Sequence, residues 1–371
     1  MITASNFTDQ PDADRRPRAA DLRGWQHELA QAITDPLELC RLLDLDPRLA
    51  LPARAAGSQF RLLVPRGFVR RMRRGDPADP LLRQVLPGAQ ELLEQAGFGA
   101  DPLQEQQARR APGLLHKYHG RALLITTGAC AVHCRYCFRR EYPYADHAAG
   151  HAGPPPSRLP SRFRAALEVI TADPSIEEVI LSGGDPLSLT TSRLAQLSAA
   201  LSAIPHVRRL RLHTRTPIVL PERVDEELTD WIAALPWPCV IVLHCNHANE
   251  IDAQVLTAST RLRAAGALLL NQSVLLAGVN DSVPALSALS EALWSAGVLP
   301  YYLHLLDRVR GAAHFEVDEQ RARALAAGLA ARLPGYLVPR LAREVPGAPG
   351  KSVIAPAPWP ATPPACDAGT A

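Results

Sequence analysis

Cys130, Cys134 and Cys137 stand within eight residues of one another in the run TTGACAVHCRYCFRRE. Three thiols so close leave one unpaired in any disulfide scheme. Thiolate is the usual ligand of iron–sulfur clusters, and three thiolates can hold three irons of a [4Fe–4S] cube. The fourth iron then has no protein ligand and is open to a small molecule. A structural zinc ion would want four ligands, usually as two separated pairs. His133 could be the fourth only by straining the loop, because it lies between the cysteines. Inert buried thiols are the bland alternative, but the chain has only seven cysteines and three fall here.

A second chemical signal is the scarcity of lysine. Of the 40 basic side chains only two, Lys117 and Lys351, are lysine. Arginine replaces lysine on most solvated surfaces but stays protonated and cannot form a Schiff base. A chain so poor in lysine can keep one where an amine nucleophile is required, although codon bias alone would also leave survivors. Lys351 lies in REVPGAPGKS. A phosphate-binding loop would need glycine where Val345 stands, and a long helix after it. The better reading is a pyridoxal phosphate (PLP) lysine on a flexible glycine-rich loop. A third signal, LSGGDPL, places Gly183 and Gly184 where backbone can approach a ligand closely, with Asp185 as an added acceptor.

The elements that must position these residues alternate. β-favouring runs occur at 121–126, 177–182, 207–213, 239–245, 267–276 and 298–306, with helical stretches between most of them. Six such units predict an α/β fold, a partial (β/α)6 barrel, with the cysteines in the loop after the first strand. A doubly wound sheet is the rival, but no G-x-G-x-x-G follows that strand. The organisation expected is a disordered N-terminus over 1–22, a helical region over 23–111, the barrel over 112–340, the Lys351 loop over 341–354 and a disordered Pro-rich tail over 355–371. Cys366 in that tail is expected to be an idle thiol.

With 371 residues, 47% of them hydrophobic, the chain can bury a large core. A net charge of +3 on 40 basic and 37 acidic side chains gives no nucleic-acid surface. No signal peptide and no membrane span is expected. An odd cysteine count with three clustered suits a reducing cytoplasm.

The motif CAVHCRYCFRRE, with Tyr136 before its last cysteine, resembles that of the radical S-adenosylmethionine (SAM) enzymes. With LSGGDPL, RTPIVLPERV, HCNHANEI, NQSVLLAGVND, PYYLHLLD and GAAHF in that order, residues 25–355 are similar to the lysine 2,3-aminomutases. They are most similar to the type that supplies β-lysine for modifying elongation factor P, since the long C-terminal extension of the catabolic type is missing. The resemblance implies a [4Fe–4S] cluster on Cys130, Cys134 and Cys137, SAM near Gly183, Gly184, Asp185, Gln272 and His244, and PLP on Lys351 with Lys117, Tyr118 and Arg121 around its phosphate. It implies Arg139 for the substrate carboxylate and Asp307 with Glu344 for the ε-ammonium. Glu344 departs from the aspartate of the catabolic type. The implied reaction moves the amino group of lysine from C2 to C3 through a SAM-derived radical. Implied partners are a reductant such as flavodoxin or ferredoxin and a ligase acting on elongation factor P. Another amino acid as substrate, or a non-catalytic iron–sulfur protein, are the alternatives. From the residues alone, Arg139 could be a solvated charge, Asp307 could pair with Arg308 or Arg310, His244 could be a hydrogen-bonded barrel residue, and Tyr301 and Tyr302 read as packing.

Overall fold

The computed structural model describes residues 24–144 and 161–358. The expected disordered N-terminus, most of the Pro-rich tail and Cys366 lie outside them.

Ten strands form one sheet in chain order. They are β1 (Arg109–Ala111), β2 (Leu114–Tyr118), β3 (Arg121–Thr127), β4 (Glu178–Gly183), β5 (Arg209–Thr214), β6 (Cys239–His244), β7 (Leu268–Val274), β8 (Leu299–His304), β9 (Arg340–Arg343) and β10 (Ser352–Val353). From β3 to β9 every pairing is parallel. Helices Ser161–Ala172, Thr191–Ser202, Glu226–Ala233, Ala253–Ala264, Val283–Ser295 and Glu319–Ala330 make the crossovers. This is the wall of a partial barrel, flanked by antiparallel β1–β2 and β10.

Period-two alternation sorts the side chains. Leu124, Leu181, Leu212, Leu243 and Leu269 face the helices and form the main core with Leu194, Leu197 and Leu262. The opposite face, with Leu123, Ile180, Ser182, Arg211, His213, Gln272 and His304, lines an internal cavity. The six expected strands are all present within a few residues. Two features differ from expectation. A seventh parallel strand, β9, and its helix Glu319–Ala330 continue the alternation. β9 is only four residues long and its burial reads exposed-buried-buried-exposed, so it leaves no apolar run to notice. The region expected to be helical to 111 also ends in β1.

The helical region packs through Phe68, Leu81, Leu82 and Val85 against Ala131 and Val132 of the cysteine loop. Asp35 and Asp79 cap its helices at Pro36–Leu42 and Pro80–Arg83. Among the described residues no helix is long and apolar enough to cross a membrane.

Candidate active site

A cavity of about 840 Å³ runs through the barrel, and every expected site residue lines it. That volume suits drug-sized ligands, whose pockets span about 300–1,000 Å³. Arg121 opens β3 and the cysteines follow its end, so the site extends for roughly 20 Å along the strand at about 3.3 Å per residue.

At one end the cysteine loop is clamped from below. Arg135 is wholly buried and forks onto Glu91, with Nε to Oε1 at 2.8 Å and Nη2 to Oε2 at 2.5 Å. His133 is turned away, its Nδ1 2.9 Å from the Arg61 carbonyl oxygen. Among the described residues no three His, Cys, Asp or Glu side chains are placed to hold one metal ion. Burial, with the neighbouring thiols, pushes Cys130 well up and Cys137 to about 11. Thiols held this high would have to give up protons to bind any metal.

The glycines of LSGGDPL have a structural reason. A side chain on Gly183 would meet the Thr127 carbonyl oxygen at 2.6 Å, and on Gly184 the Ala129 carbonyl oxygen at 2.3 Å. Gly183 also has φ +124°. The backbone of Gly184 and Asp185 donates to those same carbonyls, each at 2.7 Å. The expectation that Asp185 is a ligand acceptor needs correction. Its buried carboxylate already accepts from Leu187 N, Thr214 Oγ1, Arg215 N and Thr216 N at 2.7–3.0 Å. It ties the turns after β4 and β5 together. His244 is half-buried, stacks on Tyr136 and lies 2.8 Å from the tyrosine hydroxyl through Nε2. Burial holds it well below its usual range, so it is neutral. Gln272 pairs beside it across β6 and β7.

The other end is a chain of charges. Lys351 Nζ donates to Glu344 Oε2 at 3.0 Å, and Lys117 Nζ to Glu344 Oε1 at 2.9 Å. Both lysines of the chain thus share one carboxylate. Lys117 also reaches Glu105 at 3.2 Å. Glu105 in turn holds Arg139, with Nε at 2.7 Å and Nη2 at 2.8 Å, while Arg139 Nη1 donates to Ser182 Oγ at 3.1 Å. Arg139 is therefore not a solvated charge; it is buried and its fork is fixed. Arg121 lies over the Tyr118 ring, 4.8 Å from its centroid.

Asp307 does not pair with its neighbours, because Arg308 bonds Glu316 and Arg310 bonds Glu141. Burial, then the charge of Glu344, pushes its carboxyl up to about 7. Glu344 goes the other way: Lys351 and Lys117 overcome its burial and hold it well below the carboxylate range. Two carboxyls of one pocket are thus set apart by their partners.

No sequence motif marks several of the lining residues. Glu105 lies in a polar stretch without any pattern. His213 and His304 present buried Nε2 atoms that have no hydrogen-bond partner among the described residues. Tyr301 and Tyr302, expected as packing, line the cavity instead, and Lys351 Nζ sits 5.7 Å from the Tyr302 centroid. Tyr302 pairs with Gln272 across β7 and β8, next to a register irregularity in that pairing. A lysine over an aromatic ring, two cations and two unpartnered imidazole nitrogens suit a planar anionic cofactor such as PLP.

The sequence also matches known proteins along most of its length. Residues 124–281 match the model of the Radical SAM superfamily. The L-lysine 2,3-aminomutase of Escherichia coli K12 is 49% identical over 331 residues, covering 89% of this chain and 94% of that one. That of Haemophilus influenzae is 43% identical, covering 92% and 98%. That of Clostridium subterminale is 33% identical, covering 91% and 79%. With identity of this level spread along nearly the whole barrel and its cysteine loop, the chain belongs to the L-lysine 2,3-aminomutase family of radical SAM proteins.

Proposed function

We propose that this protein converts L-α-lysine to β-lysine in the cytoplasm, and that the product is passed to a ligase that modifies elongation factor P. A single cavity carries the reading, because the three thiols and Lys351, Arg139, Asp307 and Glu344 all line it. Cys130, Cys134 and Cys137 would hold the [4Fe–4S] cluster, and Gly183, Gly184, Gln272 and His244 would flank SAM. Lys351 would carry PLP, with Lys117, Tyr118 and Arg121 about its phosphate. When bound, these groups supply the radical and the π-system that a shift of nitrogen between neighbouring carbons needs.

The chain's own residues do the rest. Arg139 offers Nη1 to a substrate carboxylate while Glu105 fixes its other two nitrogens. Asp307 and Glu344 offer carboxylates to a distal ammonium and disfavour an acidic side chain. The barrel wall keeps water out and holds substrate within reach of both cofactors.

Anaerobic incubation of the full chain with lysine, SAM, PLP and dithionite should yield β-lysine. An unchanged lysine pool in the presence of SAM cleavage would point to another amino acid as substrate. Alanine at Cys130, Cys134 or Cys137 should abolish both SAM cleavage and the assembly of four irons per chain, with the fold retained. A single-cysteine variant that cleaves SAM at the parental rate would overturn the cluster assignment.

A further inference from the structure

Arg215 follows β5, and its guanidinium lies at the cysteine end of the cavity. Its backbone is fixed because Asp185 accepts from both Arg215 N and Thr216 N, at 2.8 and 3.0 Å. Its side chain is buried between the rings of Phe68 and Tyr136, with centroids 5.6 and 5.7 Å away. Nη1 donates to Cys134 Sγ at 2.8 Å and to Tyr136 Oη at 2.6 Å. Nη2 donates to Gln84 Oε1 at 2.7 Å and Glu250 Oε2 at 2.8 Å. Glu250 is itself fully buried and held by Asn246 N at 2.9 Å and Gln84 Nε2 at 3.1 Å.

We propose that Arg215, aimed at the Cys134 sulfur and counterweighted by Glu250, sets the reduction potential of the cluster. The proposal rests on the reading of Cys130, Cys134 and Cys137 as cluster ligands. A one-electron reduction adds negative charge to the irons and their thiolates. A buried cation that also donates a hydrogen bond to one thiolate stabilises the reduced form more than the oxidised one, and so raises the potential. Low local polarity strengthens the effect. Glu250 opposes it, being an anion 2.8 Å from the same guanidinium. The pair is therefore a positioning device with two handles of opposite sign. A purely structural ion pair, tying the helical region to the barrel, would not move the potential in opposite directions.

The test is an electron paramagnetic resonance titration of the anaerobically reconstituted full chain, poised with dithionite and mediators. The parent is compared with Arg215→Gln and Glu250→Gln, with iron counted in each. The midpoint should move negative in Arg215→Gln and positive in Glu250→Gln, with four irons per chain retained. Where Arg215→Gln does not hold a cluster, Glu250→Gln decides. A positive shift supports the proposal, and an unchanged or negative midpoint overturns it. A parent that does not take up four irons would instead sink the cluster reading, and this proposal with it.

Discussion

Arginine in place of Lys351 is expected to abolish covalent capture of PLP while leaving the iron–sulfur end intact. The chain holds two lysines, and both amines meet Glu344, at 2.9 and 3.0 Å. Position alone does not separate them, but support does. Lys117 lies on β2 with a second carboxylate, Glu105, at 3.2 Å. Two carboxylate partners fix the amine in place on its strand, which suits contact with an anion such as a phosphate. Lys351 pairs with Glu344, sits over the Tyr302 ring and follows the glycine-bearing turn between β9 and β10. With one carboxylate partner against two for Lys117, it is the less constrained amine to meet and attack a carbonyl. Lys351→Arg keeps the charge on Glu344, so the pocket should remain folded, yet guanidinium cannot form the link. The visible absorption of protein-bound PLP should vanish, and borohydride should trap no label. Lys117→Arg should keep the label and bind PLP more weakly. Recovery of the reduced label on Lys117 of the parent protein would reverse the two assignments.

Much of this site is legible in the sequence, and for physical reasons. Cysteine spacing is local, so the run at 130–137 declares itself. Six strands declare themselves because their buried faces are Leu, Ile and Val. β9 does not, being four residues with charged ends. Glu105 and Arg215 stay hidden because their chemistry is long-range. Glu105 meets Arg139 from 34 residues away, and Arg215 meets Cys134 from 81. A lone glutamate or arginine carries no pattern until the barrel closes around it. Asp185 shows the opposite failure. Its motif is visible, but the acceptor it seems to offer is consumed by the turns it binds. The glycines before it are required by carbonyls of the cysteine loop, whatever ligand comes there.

Asp307→Asn is expected to lower kcat/KM for lysine by roughly two to four orders of magnitude. A buried ammonium that loses one of its carboxylate partners is destabilised by about 3–5 kcal/mol, and each 1.4 kcal/mol is about tenfold. Glu344→Gln should cost a similar or smaller factor, and it should also release Lys117 and Lys351, which Asp307→Asn should not. Without substrate, Asp307 adds a pH signature. Unfolded aspartate titrates near 3.9, whereas burial and Glu344 push Asp307 to about 7. The folded chain therefore binds this proton more tightly than the unfolded one. The corresponding stability is fully present below about pH 4 and is lost as pH rises through about 7. The ligand-free Asn variant should gain on the parent in thermal stability between those limits, and the gain should level off above about pH 8. Lysine binding reverses the balance, since an ammonium beside Asp307 favours its ionised form. At about pH 6 to 7 the PLP-loaded parent should therefore release a proton on binding lysine, seen by calorimetry in buffers of different ionisation enthalpy, and Asp307→Asn should release less. A parent that turns over glutamate faster than lysine, or an Asn variant with unchanged lysine kinetics and unchanged proton release, would mean that these two carboxyls do not grip the ε-ammonium.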